Sequence, residues 1–487
     1  MRIKWYTRTF FRSELKIFSA KMETHLKYIY LLYATLGVVL TATITPAFQA
    51  PDERAHFLRA EQTSRGVLVA HFILLQPSRE HRTSPDKRII YPDSGGYVGQ
   101  RGINLVAFAY DSIVAHKEQK VTDSLIKASK KYYWNENLTI VNFPNTGFYP
   151  PTGYVFPAIG ILAGKLFRMN ILDTLILSRI LNGIGCAIIC FFALGLAKRS
   201  RLILFFLLLL PLTIFLFASV SQDAMLISLA ALIVGMIDHN ESEGHQKFTK
   251  TQGIVLIICI TAISVARPPY FIFASVFLLL QLTPRMKLLT IAIPFLSMVV
   301  WGILNSHNYA VAFAPPEMGV NAKMQLAFVT GHPLKFVGMF FQWNAEDILS
   351  KLREYVGILG WLDVVLPGYY YKLTYWVMLM AIIAVAGFNL DHAKLRITCI
   401  IAAMVTFIGI MAAQYITWMP LESPGLGGVQ SRYFIPVVFF LMLGIAGFNK
   451  ELPLKNWQSF ILMIIVLFPV FSEVIMVNRL MDRYYLF

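Results

Sequence analysis

Two adjacent carboxylates followed by a histidine are the clearest candidates for chemistry in this sequence. The run DERAH, residues 52–56, follows the first apolar stretch and opens a long polar segment. If a helix begins at Glu53, His56 lies one turn from Asp52 on the same face. A carboxylate there can accept a proton from a hydroxyl group, or bind Mg²⁺ or Mn²⁺ through its oxygens. Asp52 and Glu53 are therefore predicted catalytic residues and metal ligands, and His56 a predicted substrate contact.

The same residues also have a purely structural interpretation. Pro51 stands just before the two acids, and proline is favoured in the first turn of a helix. Carboxylates suit the positive end of the helix dipole. On spacing alone, helix capping explains Pro51, Asp52 and Glu53 as well as catalysis does.

The composition is that of an integral membrane protein. Of its 487 residues, 56% are hydrophobic and 14% are charged, against about 25% charged residues in soluble domains. The net charge of +16 is explained by basic loops on one side of a membrane. No basic stretch is interleaved with aromatic residues as in a nucleic-acid-binding module, so nucleic acid is not an expected partner. The four cysteines all lie inside apolar runs and predict no disulfide framework.

Eleven apolar runs are candidate membrane spans, each of which needs about 20 residues. A twelfth run, 149–167, is interrupted by several prolines and glycines. The eleven runs lie near residues 28–45, 174–197, 201–218, 222–237, 253–268, 270–283, 287–304, 371–389, 397–415, 433–448 and 457–476.

The distribution of lysine and arginine decides how the run 149–167 is placed. If it does not span, the basic short loops all fall on the same side as the basic N-terminus. If it spans, these loops move to the opposite side. The positive-inside rule favours the first arrangement. It predicts a cytoplasmic N-terminus, an external C-terminus and a juxtamembrane surface helix at 149–167.

This topology divides the chain into four segments. Residues 1–27 form a basic cytoplasmic N-terminus. Residues 28–304 form the first part of the membrane domain and include a long outer loop at 46–173. Residues 305–370 form a second outer loop with an interfacial helix, and residues 371–487 form the last membrane helices.

Both outer loops contain sequences typical of surface helices. Residues 104–134 alternate apolar and charged positions and predict amphipathic helices. Residues 324–341 are apolar enough for an interfacial or re-entrant helix, with a break expected at Gly331 and Pro333.

A second set of candidate residues lies at the predicted outer ends of the spans. Charged groups there often face a cavity or a partner, and arginine pairs well with phosphate oxygens. Snorkelling to the lipid headgroups is the alternative for each arginine, and Asp223 could equally cap a helix or form a salt bridge. Tyr149 and Trp361 are interfacial anchors by default, or stacking surfaces for a sugar. The predicted substrate-binding residues are His56, Tyr149, Arg179, Asp223, Arg267, Trp361, Gln430 and Arg432.

The sequence contains no common nucleotide-binding or hydrolase motif. We find no Walker A loop and no G-x-G-x-x-G pattern for a nucleotide, and no H-E-x-x-H or G-x-S-x-G pattern for zinc or serine hydrolysis. An activated donor would then have to arrive another way, and a lipid-linked donor on the outer side fits.

Taken together, these features resemble the GT-C superfamily of integral-membrane glycosyltransferases, which use polyprenyl- or dolichyl-phosphate sugars. The pattern D-E-x-x-H-F at 52–57 is similar to that of protein O-mannosyltransferases and aminoarabinose transferases. More closely, five motifs in order along the chain resemble the bacterial domain-of-unknown-function 2142 group. These are PDE with AHF at 51–57, Asn145 with YPP at 149–151, SVSQD at 219–223, Gly357 with GWLD at 360–363, and GVQSRYF at 428–434 with Pro436.

The resemblance implies an all-α, polytopic, GT-C-like fold with about eleven transmembrane helices and surface helices in the first outer loop. It implies that Asp52, with Glu53 as second acid, acts as the base or helps to bind a metal. It also implies that Arg267 and Arg432 bind the lipid phosphate.

The expected activity is sugar transfer from undecaprenyl phosphate to a surface glycan, such as lipopolysaccharide O-antigen or a wall polymer. The expected location is the bacterial cytoplasmic (inner) membrane, with the active site on the periplasmic or outer face. Two alternatives stay open: a transporter (flippase) for lipid-linked saccharides, and a component of a polysaccharide ligase or polymerase.

Overall fold

The architecture is almost entirely α-helical. A computed structural model describes residues 25–74, 95–135, 138–244, 247–309, 319–387, 392–446 and 458–486. Its helices are α1 His25–Ile44, α2 Glu53–Ser64, α3 Arg101–Ala115, α4 Asp123–Ser129, α5 Pro144–Gly147, α6 Val155–Leu166, α7 Ile171–Leu196, α8 Arg201–Leu208, α9 Pro211–Phe217, α10 Gln222–Ser242, α11 Lys250–Ala266, α12 Ala274–Phe277, α13 Pro284–Leu304, α14 Ser306–Tyr309, α15 Ala322–Gly331, α16 Pro333–Phe340, α17 Ala345–Gly357, α18 Gly368–Val385, α19 Ala393–Trp418, α20 Ile435–Ile445 and α21 Gln458–Tyr484. Short 3₁₀ helices lie at Pro151–Tyr154, Pro268–Phe273 and Ser431–Phe434.

Several of these helices are long and apolar enough to cross a bilayer. Among the described residues, six helices meet that condition: α1, α7, α10, α13, α19 and α21. Shorter apolar helical segments lie at Lys250–Ala266, Pro268–Phe277 and Ser431–Ile445. The prediction of an all-α polytopic membrane protein is therefore confirmed.

The predicted span at 201–218 is not one continuous helix. It forms α8 and α9, which are separated by a break just before Pro211. Proline disfavours the helical conformation of the residue before it, and Leu210 is accordingly extended. All side chains of α8 after Arg201, and all of α9, are buried inside the protein. An apolar run that is buried in protein has the same hydropathy as one that faces lipid, so the sequence could not separate the two cases.

Helix α6, within the ambiguous run 149–167, packs closely on α7. Its 12 residues rise by about 18 Å, which is too short for a hydrocarbon core of about 30 Å. Glycines make the close approach possible. A Cβ atom added at Gly160 would lie 2.6 Å from Ser178 Cα, and one at Gly185 would lie 2.6 Å from the ring of Phe156. The helix therefore packs against α7, from Ser178 to Gly185, and not on lipid alone.

The helix bundle has two opposite ends. At one of them, called the site end below, α1 ends close to α7, because Arg179 bonds the carbonyls of Thr45 and Pro46. At the opposite end, Lys27 near the start of α1 lies over the ring of Phe191. Residues 1–24 and the loop with Lys450 and Lys455 lie outside the described residues, so their cytoplasmic placement stays a prediction.

The segments at the site end combine short helices with small sheets. Strands β1 (Ile73–Leu74), β2 (Gly95–Gln100) and β3 (Leu138–Val141) form an antiparallel sheet, with Tyr97 opposite Val141. Strands β4 (Ile358–Leu359) and β5 (Val364–Val365) form a hairpin. The predicted break in 324–341 is confirmed: α15 ends at Gly331 and α16 begins at Pro333.

Candidate functional site

A cavity of about 230 Å³ lies at the site end of the bundle, somewhat smaller than the roughly 300–1,000 Å³ of typical small-molecule pockets. Its wall is built from the start of α2, the turn through α5, the start of α10, the end of α11 and the end of α19. Part of this wall is charged and part is apolar. The predicted residues on it are Asp52, His56, Tyr149, Asp223, Arg267 and Arg432.

Asp52 turns its side chain towards this cavity. It occupies the position before the first residue of α2, in the left-handed conformation with φ of 61°, and its side chain makes no capping hydrogen bond. Its Oδ1 accepts from Asn145 Nδ2 at 3.0 Å, and its Oδ2 accepts from Arg432 Nη2 at 3.0 Å. The side chain remains 31% exposed. The helix-capping interpretation therefore does not account for Asp52.

Two carboxylates and two guanidinium groups alternate along the cavity wall. Arg432 lies between Asp52 and Asp223, with Nε 3.4 Å from Asp223 Oδ2. Arg267 Nη2 lies 3.1 Å from the other oxygen of Asp223. Buried charges persist when they are paired, and this arrangement pairs all four. It also places one fixed cation, Arg432, next to the open carboxylate of Asp52, with Arg267 on the far side of Asp223.

The electrostatic surroundings keep both arginines charged. Burial by itself lowers the pKa of the Arg267 guanidinium, but Asp223 and nearby tyrosines raise it by more. Burial likewise lowers the pKa of Arg432, and Tyr433, Asp223 and Asp52 together raise it above the ordinary value. Arg267 also lies 3.8 Å from the centroid of the Tyr433 ring, a cation–π contact.

Arg432 has hydrogen-bonding capacity to spare. Its side chain is 6% exposed, and its Nη1 has no hydrogen-bond partner within the part of the chain that the structure describes. Its Nε faces Asp223 at 3.4 Å without the geometry of a hydrogen bond. Buried donors in native proteins are normally satisfied. The spare donors of a paired cation at a cavity wall suit an anionic ligand.

His56 contributes a neutral ring to the site. Its Nδ1 lies 2.7 Å from the hydroxyl of Tyr154, and its ring is nearly parallel to that of Tyr149, with 6.0 Å between centroids. Burial lowers the pKa of His56 to about 4, and the nearby Asp52 only partly opposes this. The imidazole is therefore uncharged at neutral pH.

We expect this buried histidine to make the protein less stable in acid. The unfolded chain takes up the proton near the ordinary pKa of 6.5 and the folded protein only near 4. Between these values the unfolded state binds more protons, so the free energy of unfolding falls as pH falls, by up to about 3 kcal/mol. Thermal unfolding of wild type and His56→Gln at about pH 7 and about pH 5 measures the effect. The variant should show a weaker pH dependence.

The matched control is His116→Gln, because the side chain of His116 is 57% exposed. This change should keep the wild-type pH dependence. If His56→Gln does the same, the buried imidazole is not the group responsible.

Glu53 does not share the cavity with Asp52. Its two carboxylate oxygens accept from Arg179 Nε at 2.8 Å and from Arg179 Nη2, and its Oε1 also accepts from the backbone N–H of Val220 at 3.0 Å. Both side chains are fully buried or nearly so. The structure thus separates the two predicted acids and leaves one open carboxylate.

Arg179 is held by the same contacts and has no capacity left for a phosphate. Its five N–H donors are all used, two by Glu53 and three by the backbone carbonyls of Ala42, Thr45 and Pro46. The residue joins α7 to the end of α1. It is not on the cavity wall, so the structure places this predicted substrate-binding residue apart from Asp52, Arg267 and Arg432.

Two further predicted contacts also lie away from the cavity. The Trp361 indole donates to the carbonyl of Phe48 at 3.0 Å. Gln430 lines a separate small pocket that includes Pro51 and Gly360. Neither residue is on the wall of the larger cavity.

The donor set does not fit a divalent cation. Glu53 is committed to Arg179, and the two cavity carboxylates, Asp52 and Asp223, are each paired with a guanidinium group. No group of three or more histidine, cysteine or acidic side chains with metal-binding geometry occurs among the described residues. The cation site predicted from Asp52 and Glu53 is thus not formed by that pair.

Some cavity residues were not predicted as site residues. Asn145, Gln222, Trp418 and Tyr433 all line the cavity. Asn145, Gln222 and Tyr433 belong to motifs that carry the family resemblance, but their residue types suggest no chemical role. The order of those motifs along the chain is the sequence feature that points to these three residues.

The fold and the site define a polytopic α-helical membrane protein with a charged cavity at one end of its helix bundle. The sequence profile described as "Predicted membrane protein (DUF2142)" matches residues 36–441. The chain therefore belongs to the domain-of-unknown-function 2142 family. No curated protein and no solved structure matched it.

Proposed function

We propose that this protein is a glycosyltransferase that moves a sugar from a polyprenyl-phosphate donor to a hydroxyl group of a cell-surface glycan. The main support is one arrangement in the cavity. An open carboxylate, Asp52, lines the same cavity as two buried cations, Arg267 and Arg432. Arg432 pairs with Asp52 and has spare donors among the described residues. A base and an anion-binding group are what this reaction requires.

The proposed step balances as follows. The acceptor hydroxyl oxygen forms a bond to the anomeric carbon, and its proton passes to Asp52. The bond between that carbon and the phosphate oxygen breaks, and its electron pair stays on the phosphate. The lipid phosphate then leaves next to Arg267 and Arg432, whose charges are fixed in place before the negative charge develops. Attack from the face opposite the phosphate inverts the anomeric configuration.

The partners of Asp52 leave it free to act. Each of its oxygens accepts one hydrogen bond, from Asn145 or from Arg432, whereas a carboxylate has about four acceptor positions. The remaining positions can receive the acceptor hydroxyl. Arg432 and Asn145 then orient the base.

The apolar part of the wall suits a lipid-linked donor. Val265 and Pro269, which precede and follow Arg267 in the chain, line the cavity, and so do Ile410 and Ala413 on α19. A phosphate at the arginines would therefore have apolar surface beside it, where a prenyl chain could lie. A free nucleotide sugar has no prenyl chain to place against that surface.

The proposal includes the cellular setting implied by the family resemblance. The donor is undecaprenyl-phosphate-linked, the acceptor is an O-antigen, lipopolysaccharide or wall glycan, and the protein acts in the bacterial inner membrane with its cavity facing outward. No step is assigned to a divalent cation, because the described residues of the cavity do not provide a suitable donor set.

Purified protein in proteoliposomes provides the test. We expect transfer of radiolabelled sugar from undecaprenyl phosphate to an added glycan acceptor, with formation of a new glycosidic bond. A sugar lipid that crosses the bilayer unmodified would support the transporter alternative. Competition by undecaprenyl diphosphate saccharide, but not by the monophosphate, would support a ligase.

A further inference from the structure

Gln222 is a cavity-lining residue whose buried side-chain amide is unsatisfied among the described residues. Gln222 is 1% exposed and lines the cavity. Within the described part of the chain, neither its Oε1 nor its Nε2 has a hydrogen-bond partner. A buried polar group without a partner destabilises the folded protein, because it has lost its hydrogen bonds to water. Such a group at a cavity calls for a ligand that satisfies it.

The backbone around Gln222 keeps this amide in place. Gln222 is the first residue of α10, after Ser221, whose side chain accepts from the N–H of Asp223. Gly153, in the 3₁₀ helix after the tandem prolines, lies directly against it. A Cβ atom at Gly153 would be 2.7 Å from Gln222 Cβ. Any side chain at residue 153 would therefore overlap the space that Gln222 occupies.

The position of Gln222 indicates which part of a ligand it meets. Its neighbour Asp223 pairs with both Arg267 and Arg432, the two cations assigned above to the donor phosphate. The group covalently next to that phosphate is the transferred sugar. A primary amide offers a donor and an acceptor together, and this combination matches the hydroxyl groups of a sugar ring.

We propose that Gln222 forms a hydroxyl-binding subsite that recognises the sugar of the donor. This inference rests on the proposed function, since it places the phosphate at the two arginines. Gln222 makes no bond to the reacting atoms; it contributes selectivity between a glycosylated and a bare lipid phosphate.

Two soluble probes test the subsite in purified protein: decyl phosphate and glucosyl decyl phosphate, with mannosyl and galactosyl analogues as further probes. We expect Gln222→Leu to weaken binding of at least one glycosyl probe by about tenfold, the effect of one lost hydrogen bond to a ligand. Binding of decyl phosphate should not change. Arg267→Gln should weaken both kinds of probe.

The thermal stability of the ligand-free protein separates recognition from a structural role. Replacing an unsatisfied buried amide with an apolar side chain of similar size removes a desolvation cost. Gln222→Leu should therefore melt at or above the wild-type temperature while it binds sugar probes more weakly. A structural glutamine would give a lower melting temperature. Gln119→Leu, the same change at an exposed position in the first outer loop, is the control and should bind all probes as wild type does.

The possible failures are distinguishable. If no decyl probe binds wild type, both the subsite and the proposed function are overturned. If the probes bind but Gln222→Leu weakens no glycosyl probe relative to decyl phosphate, the subsite alone is overturned.

Discussion

Asp52→Asn should lower the rate of sugar transfer by about 10²–10⁴-fold, the usual contribution of a general base. Asparagine has nearly the same shape and can still accept from Asn145 through its amide oxygen. It cannot accept the proton of an attacking hydroxyl. Transfer of labelled sugar from undecaprenyl phosphate in proteoliposomes measures the loss.

The folded protein should tolerate this change. Arg432 loses one of its two carboxylate neighbours but keeps Asp223 at 3.4 Å. The matched control is Asp482→Asn, because Asp482 is a 52% exposed acid at the end of α21 and outside the cavity. It should transfer at the wild-type rate. Near-normal turnover by Asp52→Asn would remove this residue from the mechanism.

Glu53→Gln should lower the free energy of unfolding by about 3–5 kcal/mol, the usual cost of leaving one member of a buried ion pair alone. The pair is almost inaccessible to solvent, with side-chain exposures of 1% for Arg179 and 0% for Glu53. It also joins three segments, because Glu53 begins α2, Arg179 lies in α7, and Val220 precedes α10. Denaturant unfolding of the purified protein measures the change.

The reverse variant gives a related result. Arg179→Met leaves the Glu53 carboxylate uncompensated and removes donors from the carbonyls of Thr45 and Pro46. Adding Glu53→Met should recover part of the loss, since no buried charge then remains.

The control is Asp482→Ala, which breaks an exposed pair with Arg479 and should lower the free energy of unfolding by less than about 1 kcal/mol. A catalytic Glu53 would instead lose transfer activity without a loss of stability.

Much of the fold could be predicted from hydropathy, since the long apolar runs became helices such as α7, α19 and α21. The run 201–218 shows where that signal fails. Hydropathy measures how apolar a segment is, and it contains no information on whether lipid or protein surrounds the segment. The break at Pro211 was visible in the sequence, but the complete burial of α8 and α9 was not.

The sequence predicted only part of the site, because it does not contain the contacts between distant residues. The sequence placed Asp52 and Glu53 side by side, but adjacent residues at a helix start point in different directions. One faces the cavity and the other faces Arg179. The partners of Asp52 lie 93 and 380 residues away in sequence, and no local pattern specifies such contacts.

Gln222 shows what a local sequence pattern cannot provide. Its type suggests no chemistry, and its importance comes from an amide left without a partner at a cavity wall. That property depends on the packing of α10 against the segment around Gly153. It became visible only with the side chains in place.

The position of the donor headgroup is the most direct test of the proposed site. A structure determined by electron cryo-microscopy with glucosyl decyl phosphate would locate the phosphorus atom. We predict that it lies within hydrogen-bonding reach of the Arg267 and Arg432 guanidinium groups, with the glucose between Asp52 and Gln222. A headgroup bound elsewhere on the protein, with these four side chains still in contact only with one another or with water, would contradict the account.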